Sequence, residues 1–420
     1  MLESLVDGHG EKVGGDLEDG SEVRGRRRPT SAVIGVKTAN GSITALKTTQ
    51  CNNRVMQRRS FVRAAGMGAV TAGLAGCLTR ENGGNGDGDG DGDGQLEIAS
   101  YTSFVEGNFE DAPSPAEWLT EAFEDEYPDT ELKWTVPENG INRYVRDAKQ
   151  GNEIGPDVYL GLNVDDLVRI DETFGGQLFD PIDRDELENV DRVRDDIDFG
   201  DPDDRVIPYD TGYISLVYDE SAVETPKTLD QLLESEYESE FVVQNAQRSD
   251  PGRAFLLWTI DMYGEDGYLE YWEDLQANDT LIGDSWTDTY YGPYDNEERS
   301  VIVSYSTDQV FYAGGDLTRH QVAFLDGKGY ENHEGMAVFA DSGNAELAHE
   351  FMDFALTGEA QAAIAEKNVQ FPAVADEHVD LGEDFYDHAL EPDESITFTY
   401  DELEGNLSGW VDEWGRTIAQ

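Results

Sequence analysis

The residues in this chain best equipped for chemistry are aromatic rings set beside hydroxyls and acids. Tyr101-Thr102-Ser103-Phe104 is one such cluster. Ser285-Trp286-Thr287, with Tyr290-Tyr291 close behind, is a second, and Ser304-Tyr305-Ser306-Thr307-Asp308, followed by Phe311-Tyr312, is a third. A ring can stack on a flat ligand and attract a cation through its quadrupole, for about 0.5–2 kcal/mol per contact. Neighbouring carboxylates add charge, and hydroxyls add direction. The pattern suits capture of a flat, cationic small molecule, although core packing explains any one of the rings taken singly. Ser249-Asp250-Pro251-Gly252 is a further candidate. It reads as a helix start, with Ser or Asp as cap and Pro in the first turn. The free amides of such a start can also hold a phosphate or carboxylate.

Bond-making chemistry has less to stand on. The histidines are His9, His320, His333, His349, His378 and His388, with no paired zinc spacing such as His-Glu-x-x-His. There is no Gly-x-Ser-x-Gly elbow and no phosphate-binding Gly-Lys-Ser/Thr loop. The residues point to a binder rather than an enzyme, with no cofactor and no resident metal.

Positioning these clusters requires strands that end where they begin. Residues 96–101 and 301–305 read as strands, so Tyr101 and Tyr305 each stand at a strand's C-terminal end, where open α/β sheets bind ligands. Further strands are expected at 131–136, 157–162, 241–243 and 335–339. Residues 157–162 are nearly all apolar, the mark of a buried parallel strand. Helices are expected at 116–127 (with Ser114 as cap), 141–150, 165–172, 228–235, 253–263, 268–276, 344–356 and 358–367. This strand–helix alternation predicts doubly wound α/β architecture. The extended run 206–218, with Pro208 and Gly212 inside it, would carry the chain from one lobe to another. One lobe is expected at 96–208 plus 335–420, the other at 209–334.

Charge bounds the partners. The chain has 420 residues, with 90 Asp and Glu against 29 Lys and Arg, a net charge of −61. Beyond residue 77 the only lysines are Lys133, Lys149, Lys227, Lys328 and Lys367. Such a field repels nucleic acid and anionic membrane. The 38% hydrophobic content argues against a disordered chain. An acidic, lysine-poor surface around an ordinary core reads as adaptation to concentrated salt, where screening shortens the Debye length to about 3 Å at 1 M.

Upstream, Arg58-Arg59-Ser60-Phe61 precedes an uncharged run of small and apolar residues that ends in Leu74-Ala75-Gly76-Cys77. The run is shorter than the roughly 20 residues that span a bilayer. Twin arginines, apolar run and terminal cysteine together read as an export signal with lipid attachment at Cys77. The signal is expected at 56–76. Residues 1–55, with the basic run Arg24-Gly25-Arg26-Arg27-Arg28, are expected to be a misassigned upstream segment, a nucleic-acid arm being the alternative. Residues 77–95 read as an acylated Gly/Asp tether, with a calcium loop as the rival reading. Cys51 and Cys77 are the only cysteines, so removal of the signal leaves no possible disulfide.

In order along the chain, Tyr101-Thr102-Ser103-Phe104, Pro156-Asp157-Val158-Tyr159-Leu160-Gly161-Leu162, Pro208-Tyr209-Asp210-Thr211-Gly212-Tyr213, Arg248-Ser249-Asp250-Pro251-Gly252, Leu256-Leu257-Trp258, Tyr263-Gly264-Glu265-Asp266, Ser285-Trp286, Ser304-Tyr305-Ser306-Thr307 and Trp410-Val411-Asp412-Glu413-Trp414 resemble the thiamine-binding proteins of ABC importers. The resemblance implies a two-lobed type II periplasmic-binding-protein fold. It also implies a monomeric receptor that hands thiamine or its phosphates to ABC permease subunits, and the signal ending at Cys77 would anchor that receptor by lipid to the outer face of the cytoplasmic membrane. Carried onto this chain, Tyr101, Trp286, Tyr305 and Phe311 would wall the ligand. Asn139, Gly140, Ser249, Ser306 and Thr307 would supply polar contacts. The chain departs from the family in having Asn139 in place of an acid, Val369 in place of a tryptophan, and Phe311 without the usual phenol. A ferric ion bound by Tyr290-Tyr291, or a polyamine held by acids, is the alternative on the same fold. An exported hydrolase is the alternative from another class.

Overall fold

The computed structural model describes residues 94–107, 112–174 and 177–419. The upstream segment, the export signal, Cys77 and nearly all of the tether lie outside them.

The first half alternates as the sequence predicts, with one unforeseen short helix, α1: β1 (Gln95–Ala99), α1 (Thr102–Glu106), α2 (Pro115–Glu126), β2 (Glu131–Thr135), α3 (Asn142–Gln150), β3 (Val158–Leu162) and α4 (Val164–Thr173). Ser114 starts α2 with a full capping box, accepting from Glu117 N at 3.0 Å while its own N–H donates to the Glu117 carboxylate at 3.1 Å. A long strand, β4 (Ile207–Tyr218), follows, and all of its residues are buried. The rhythm then repeats through β5 (Phe241–Gln244), α5 (Asp250–Tyr263), α6 (Tyr268–Ala277), β6 (Leu281–Gly283), α7 (Trp286–Thr289), β7 (Val301–Tyr305) and β8 (Gln321–Ala323). The second long strand, β9 (Lys328–Val338), crosses back. After it come α8 (Ala345–Ala355), α9 (Gly358–Ile364), β10 (Phe371–Pro372), α10 (Glu383–His388), β11 (Glu394–Ile396), α11 (Tyr400–Leu403) and α12 (Leu407–Thr417).

The sheet runs β2-β1-β3-β9-β4-β7-β5-β6. Two parallel triplets share one plan. β1 lies between β2 and β3, and β5 lies between β6 and β7, each strand parallel to its neighbours. The triplets are joined through antiparallel pairing of β9 with β3, β4 with β9 and β4 with β7. The sheet is therefore mixed, and β4 and β9 are the crossing strands of a two-lobed fold. Residues 228–235, expected as a helix, form only a short 3-10 stretch, Leu229–Leu233. The strand expected at 335–339 is the apolar end of the much longer β9.

Leu96, Ile98, Phe104, Leu119, Phe123, Phe351 and Met352 are buried between β1–β3 and their helices. Val243, Phe255, Trp258 and Trp272 fill the interior beside β5. Trp414 of α12 meets Trp272 of α6 edge to face at 5.2 Å, and α12 also packs on α4, so the C-terminal helix touches elements of both halves. No helix among the described residues is long and apolar enough to cross a membrane.

Candidate ligand-binding site

In each triplet the chain leaves the central strand for one neighbour and then crosses back over it to the other. A crevice is thereby left beyond the C-terminal edges of β1 and β5, where backbone groups and loop side chains stay free for a ligand. A cavity of about 250 Å³ opens there. The loops after β1, β5, β6 and β7 supply most of its wall, β9 supplies Glu334, and Asn368, Val369 and Gln370 enter from the turn before β10.

Tyr101 is held from behind. Its ring meets Phe104 edge to face at 5.8 Å, and Phe104 meets Tyr209 in the same way at 5.9 Å. The ring also lies against Gly161, in a bulge of β3 with φ +102°, where a Cβ would come within 2.7 Å of it. Only glycine fits that backbone and that approach. Trp286 opens α7, stacks on Tyr290 at 4.7 Å and donates its indole N–H to Ser304 Oγ at 2.9 Å. Ser285 caps this short helix by accepting from Asp288 N at 3.1 Å. Tyr305 ends β7 as expected, and Phe311 follows one turn later.

Six of the nine ligand residues expected from sequence come together in this cavity: Tyr101, Ser249, Trp286, Tyr305, Thr307 and Phe311. The other three do not line it. Ser306 is buried, and its hydroxyl has no hydrogen-bond partner. Asn139 and Gly140 lie in the turn between β2 and α3, both with positive φ, and Asn139 is exposed. Ser249 occupies the N-cap position of α5 but makes no capping bond. Its hydroxyl is therefore not engaged by the helix, whereas capping was the simpler expectation. The Thr307 hydroxyl and the Gln370 carbonyl oxygen are buried without partners. Val369, which stands where the resemblance gives tryptophan, lines the cavity with φ +58°, a strained backbone for a β-branched residue.

The floor is acidic. Glu334 accepts hydrogen bonds from Tyr101 at 2.8 Å and Tyr209 at 2.6 Å, both on Oε2. Asp210 lies directly across from it on β4 and accepts from Asn368 Nδ2 at 2.8 Å. Burial raises both carboxyls above their ordinary range, with Glu334 adding to the effect on Asp210. Burial also pushes the phenols of Tyr101 and Tyr305 well upward, so both rings stay neutral. Asp308 is bonded to the Tyr290 hydroxyl on one oxygen and to His320 Nδ1, at 2.8 Å, on the other. Asp250, at the rim, pairs with Arg253 at 2.6 Å. Arg248 is the only basic residue among those lining the cavity, and it is tied to Asp284 in an exposed pair at 2.7 Å.

Sequence reasoning missed Glu334, because Lys328 to Glu334 is polar and carries no strand pattern, yet it runs buried beneath the cleft. Asn368 and Gln370 are hidden for a related reason, as they belong to an irregular turn. Tyr290 and Tyr291, the alternative iron ligands, do not line the cavity. Tyr290 is buried beneath Trp286, and Tyr291 is exposed. Among the described residues no group of three or more His, Cys, Asp or Glu is placed to hold a metal ion.

Residues 170–393 match the family model described as bacterial extracellular solute-binding protein. The chain belongs to that family. This solute-binding protein is 28% identical over 328 residues to the thiamine-binding periplasmic protein of Salmonella typhimurium, covering 77% of this chain and 94% of that one. Among solved structures it superposes on a periplasmic thiamin binding protein with a TM-score of 0.65 at 26% identity, over 78% of this chain and 96% of the other. The resemblance seen in the sequence motifs is thus borne out across most of the chain. The ferric binding protein from Campylobacter jejuni gives a TM-score of 0.61 at 16% identity, over 77% of this chain and 99% of that one, which is a likeness of fold. The two-lobed type II architecture is common to these proteins.

Proposed function

We propose that this protein is the receptor of an ABC importer and captures thiamine or a thiamine phosphate. The observation that carries this reading is the composition of one cavity: rings of Tyr101, Trp286 and Tyr305 over a floor that contains Glu334. A thiazolium is flat, apolar at its edges and permanently charged. Stacking and cation–π contact on such walls contribute about 0.5–2 kcal/mol per ring. Free hydroxyls at Ser249 and Thr307, with Arg248 at the rim, would meet the alcohol or phosphate end. The named ligand of the relatives is the same molecule. Closure of the lobes about β4 and β9 would enclose it and signal occupancy to the permease. A polyamine is the second reading, favoured by the number of carboxylates, but it leaves the aromatic walls without a flat partner.

The lobes are proposed at 96–208 with 335–420 and at 209–334. The receptor is proposed to be exported folded, to work as a monomer, and to be held at the outer face of the membrane by lipid on Cys77. Two acyl chains or more would make that attachment stable.

Isothermal titration in molar salt, on protein stripped of ligand by unfolding and refolding, tests the function. The expected result is one thiamine bound per chain, with little heat from ferric ion or spermidine. Trp286→Ala is expected to weaken thiamine binding about tenfold, the equivalent of roughly 1.4 kcal/mol. No heat with thiamine and its phosphates would sink the reading, and an unaffected Trp286→Ala variant would sink the site.

A further inference from the structure

We infer that Glu334 is the specificity-determining residue of the cleft: its Oε1 accepts a hydrogen bond from an amino group on the ligand's ring, leaving the quaternary cation to the aromatic walls. The inference rests on the thiamine reading and adds the contact by which the site would tell thiamine from other flat cations.

The hydrogen bonding of the floor leads to this assignment. Glu334 is 8% exposed and lines the cavity from a crossing strand. Both phenols that reach it, those of Tyr101 and Tyr209, donate to Oε2. Oε1 takes no hydrogen bond from any described residue. The two phenols fix the carboxylate, so the open oxygen is already aimed when a ligand arrives.

Behind it, Asp210 is fully buried, and its Oδ1 has no partner among the described residues. Asn368 donates to Asp210 Oδ2 and to the Tyr101 hydroxyl, both at 2.8 Å, and so spends both amide hydrogens. The floor thus holds two acids facing each other across a strand pair, with more acceptors than donors and, among the described residues, no Lys, Arg or His paired with either acid. Like charges directly opposite in a ladder destabilise it, and buried polar atoms without partners cost free energy. A ligand that brings both an N–H and a positive charge corrects both faults.

The chemistry of the ligand then follows. A quaternary ring nitrogen has no hydrogen to give, so it can supply charge but not the bond. The N–H must come from elsewhere on the ligand, and the exocyclic amino group of thiamine's pyrimidine is such a donor. Each of the other two acids of the cavity is bonded to a basic side chain, as Glu334 is not. Asp308 has both oxygens engaged, by Tyr290 and His320, and Asp250 at the rim is held by Arg253. Asn139, which replaces the acid expected from the resemblance, does not line the cavity.

The test compares thiamine with the analogue in which a carbonyl oxygen replaces that amino group, both titrated into stripped protein in molar salt. A hydrogen bond to a charged group is worth about 1.5–3 kcal/mol, so the parent is expected to prefer thiamine by roughly 10- to 100-fold. Glu334→Gln can offer an N–H to the carbonyl. It is expected to bind thiamine at least about tenfold more weakly and to bring the preference below about threefold. The parent comparison needs no variant, so it stands even if Glu334→Gln folds poorly. Equal binding of the two ligands by the parent, or an unchanged preference in a folded Glu334→Gln, overturns the inference while leaving thiamine as the ligand. A parent that binds neither overturns the thiamine reading as well.

Discussion

Two groups of carboxylates reach this cleft, one through Asp250 and one through Glu334, and they are balanced in opposite ways. At the junction of α4 and α5, Asp165, Asp166 and Asp250 surround Arg253, whose side chain is 2% exposed. Arg169 adds a second guanidinium at 3.1 Å from Asp166. Asp165 and Asp166 also sit in the first turn of α4, where the helix dipole favours negative charge. That group is compensated from within, though only in part. It joins α4, which follows β3, to α5, which follows β5, and so links the two halves of the sheet. The floor group, Glu334 and Asp210, has hydrogen-bond donors but no cation among the described residues. One group reads as a clasp that holds structure, the other as a receptor that waits for charge. The same residue type serves both because a carboxylate's role is set by what faces it.

Removing a charge should therefore have opposite consequences in the two places. The largest effect is expected from Arg253→Met, which leaves three acids crowded without their main partner and should cost about 3–5 kcal/mol. Denaturant unfolding in molar salt measures it, and adding Asp165→Asn and Asp166→Asn should restore most of the loss. A cost below about 1 kcal/mol would mean that the group is not a clasp.

A smaller effect is expected with pH. Burial raises the Asp166 carboxyl to about 7, with Arg253 opposing the shift and Asp250 and Asp165 adding to it. An unfolded aspartate titrates near 4. Between those values the folded chain holds more protons than the unfolded chain. The contribution of Asp166 to stability is thus full below about pH 4 and is lost as pH rises through 7. Asp166→Asn should flatten that slope. An unchanged profile would remove Asp166 as its source.

The smallest effect is expected at the floor. Asp210→Asn keeps an acceptor for Asn368 but relieves the like-charge pair, so the ligand-free protein should gain about 0.2–1 kcal/mol. A clear loss would show that the floor is compensated after all, and the contrast between the two groups would fail.

Much of this was legible in the sequence, and what was hidden has a physical reason. Helices with an apolar face and a cap, such as α2 behind Ser114, announced themselves, and so did all-apolar β3. The ring clusters at the ends of β1 and β7 named the walls of the cleft, because strand ends are where such a sheet leaves side chains free. The floor stayed hidden. Glu334 lies on a strand whose cleft-facing half is polar, so hydrophobic alternation, the usual strand signal, is absent there. The Arg253 clasp joins residues 87 and 88 positions apart, a separation at which no local pattern operates. Asn139 shows the converse case: position in a motif suggested a ligand contact, while the residue does not line the cavity.

The most direct test of the central claim is a crystal structure of the stripped protein with thiamine. The account predicts one molecule in the cleft, with a ring stacked against Trp286 or Tyr305 and the pyrimidine amino nitrogen within hydrogen-bond distance, roughly 2.7–3.2 Å, of Glu334 Oε1. Thiamine bound elsewhere, or bound in the cleft with its amino group turned from Glu334 toward Asp250, would contradict it.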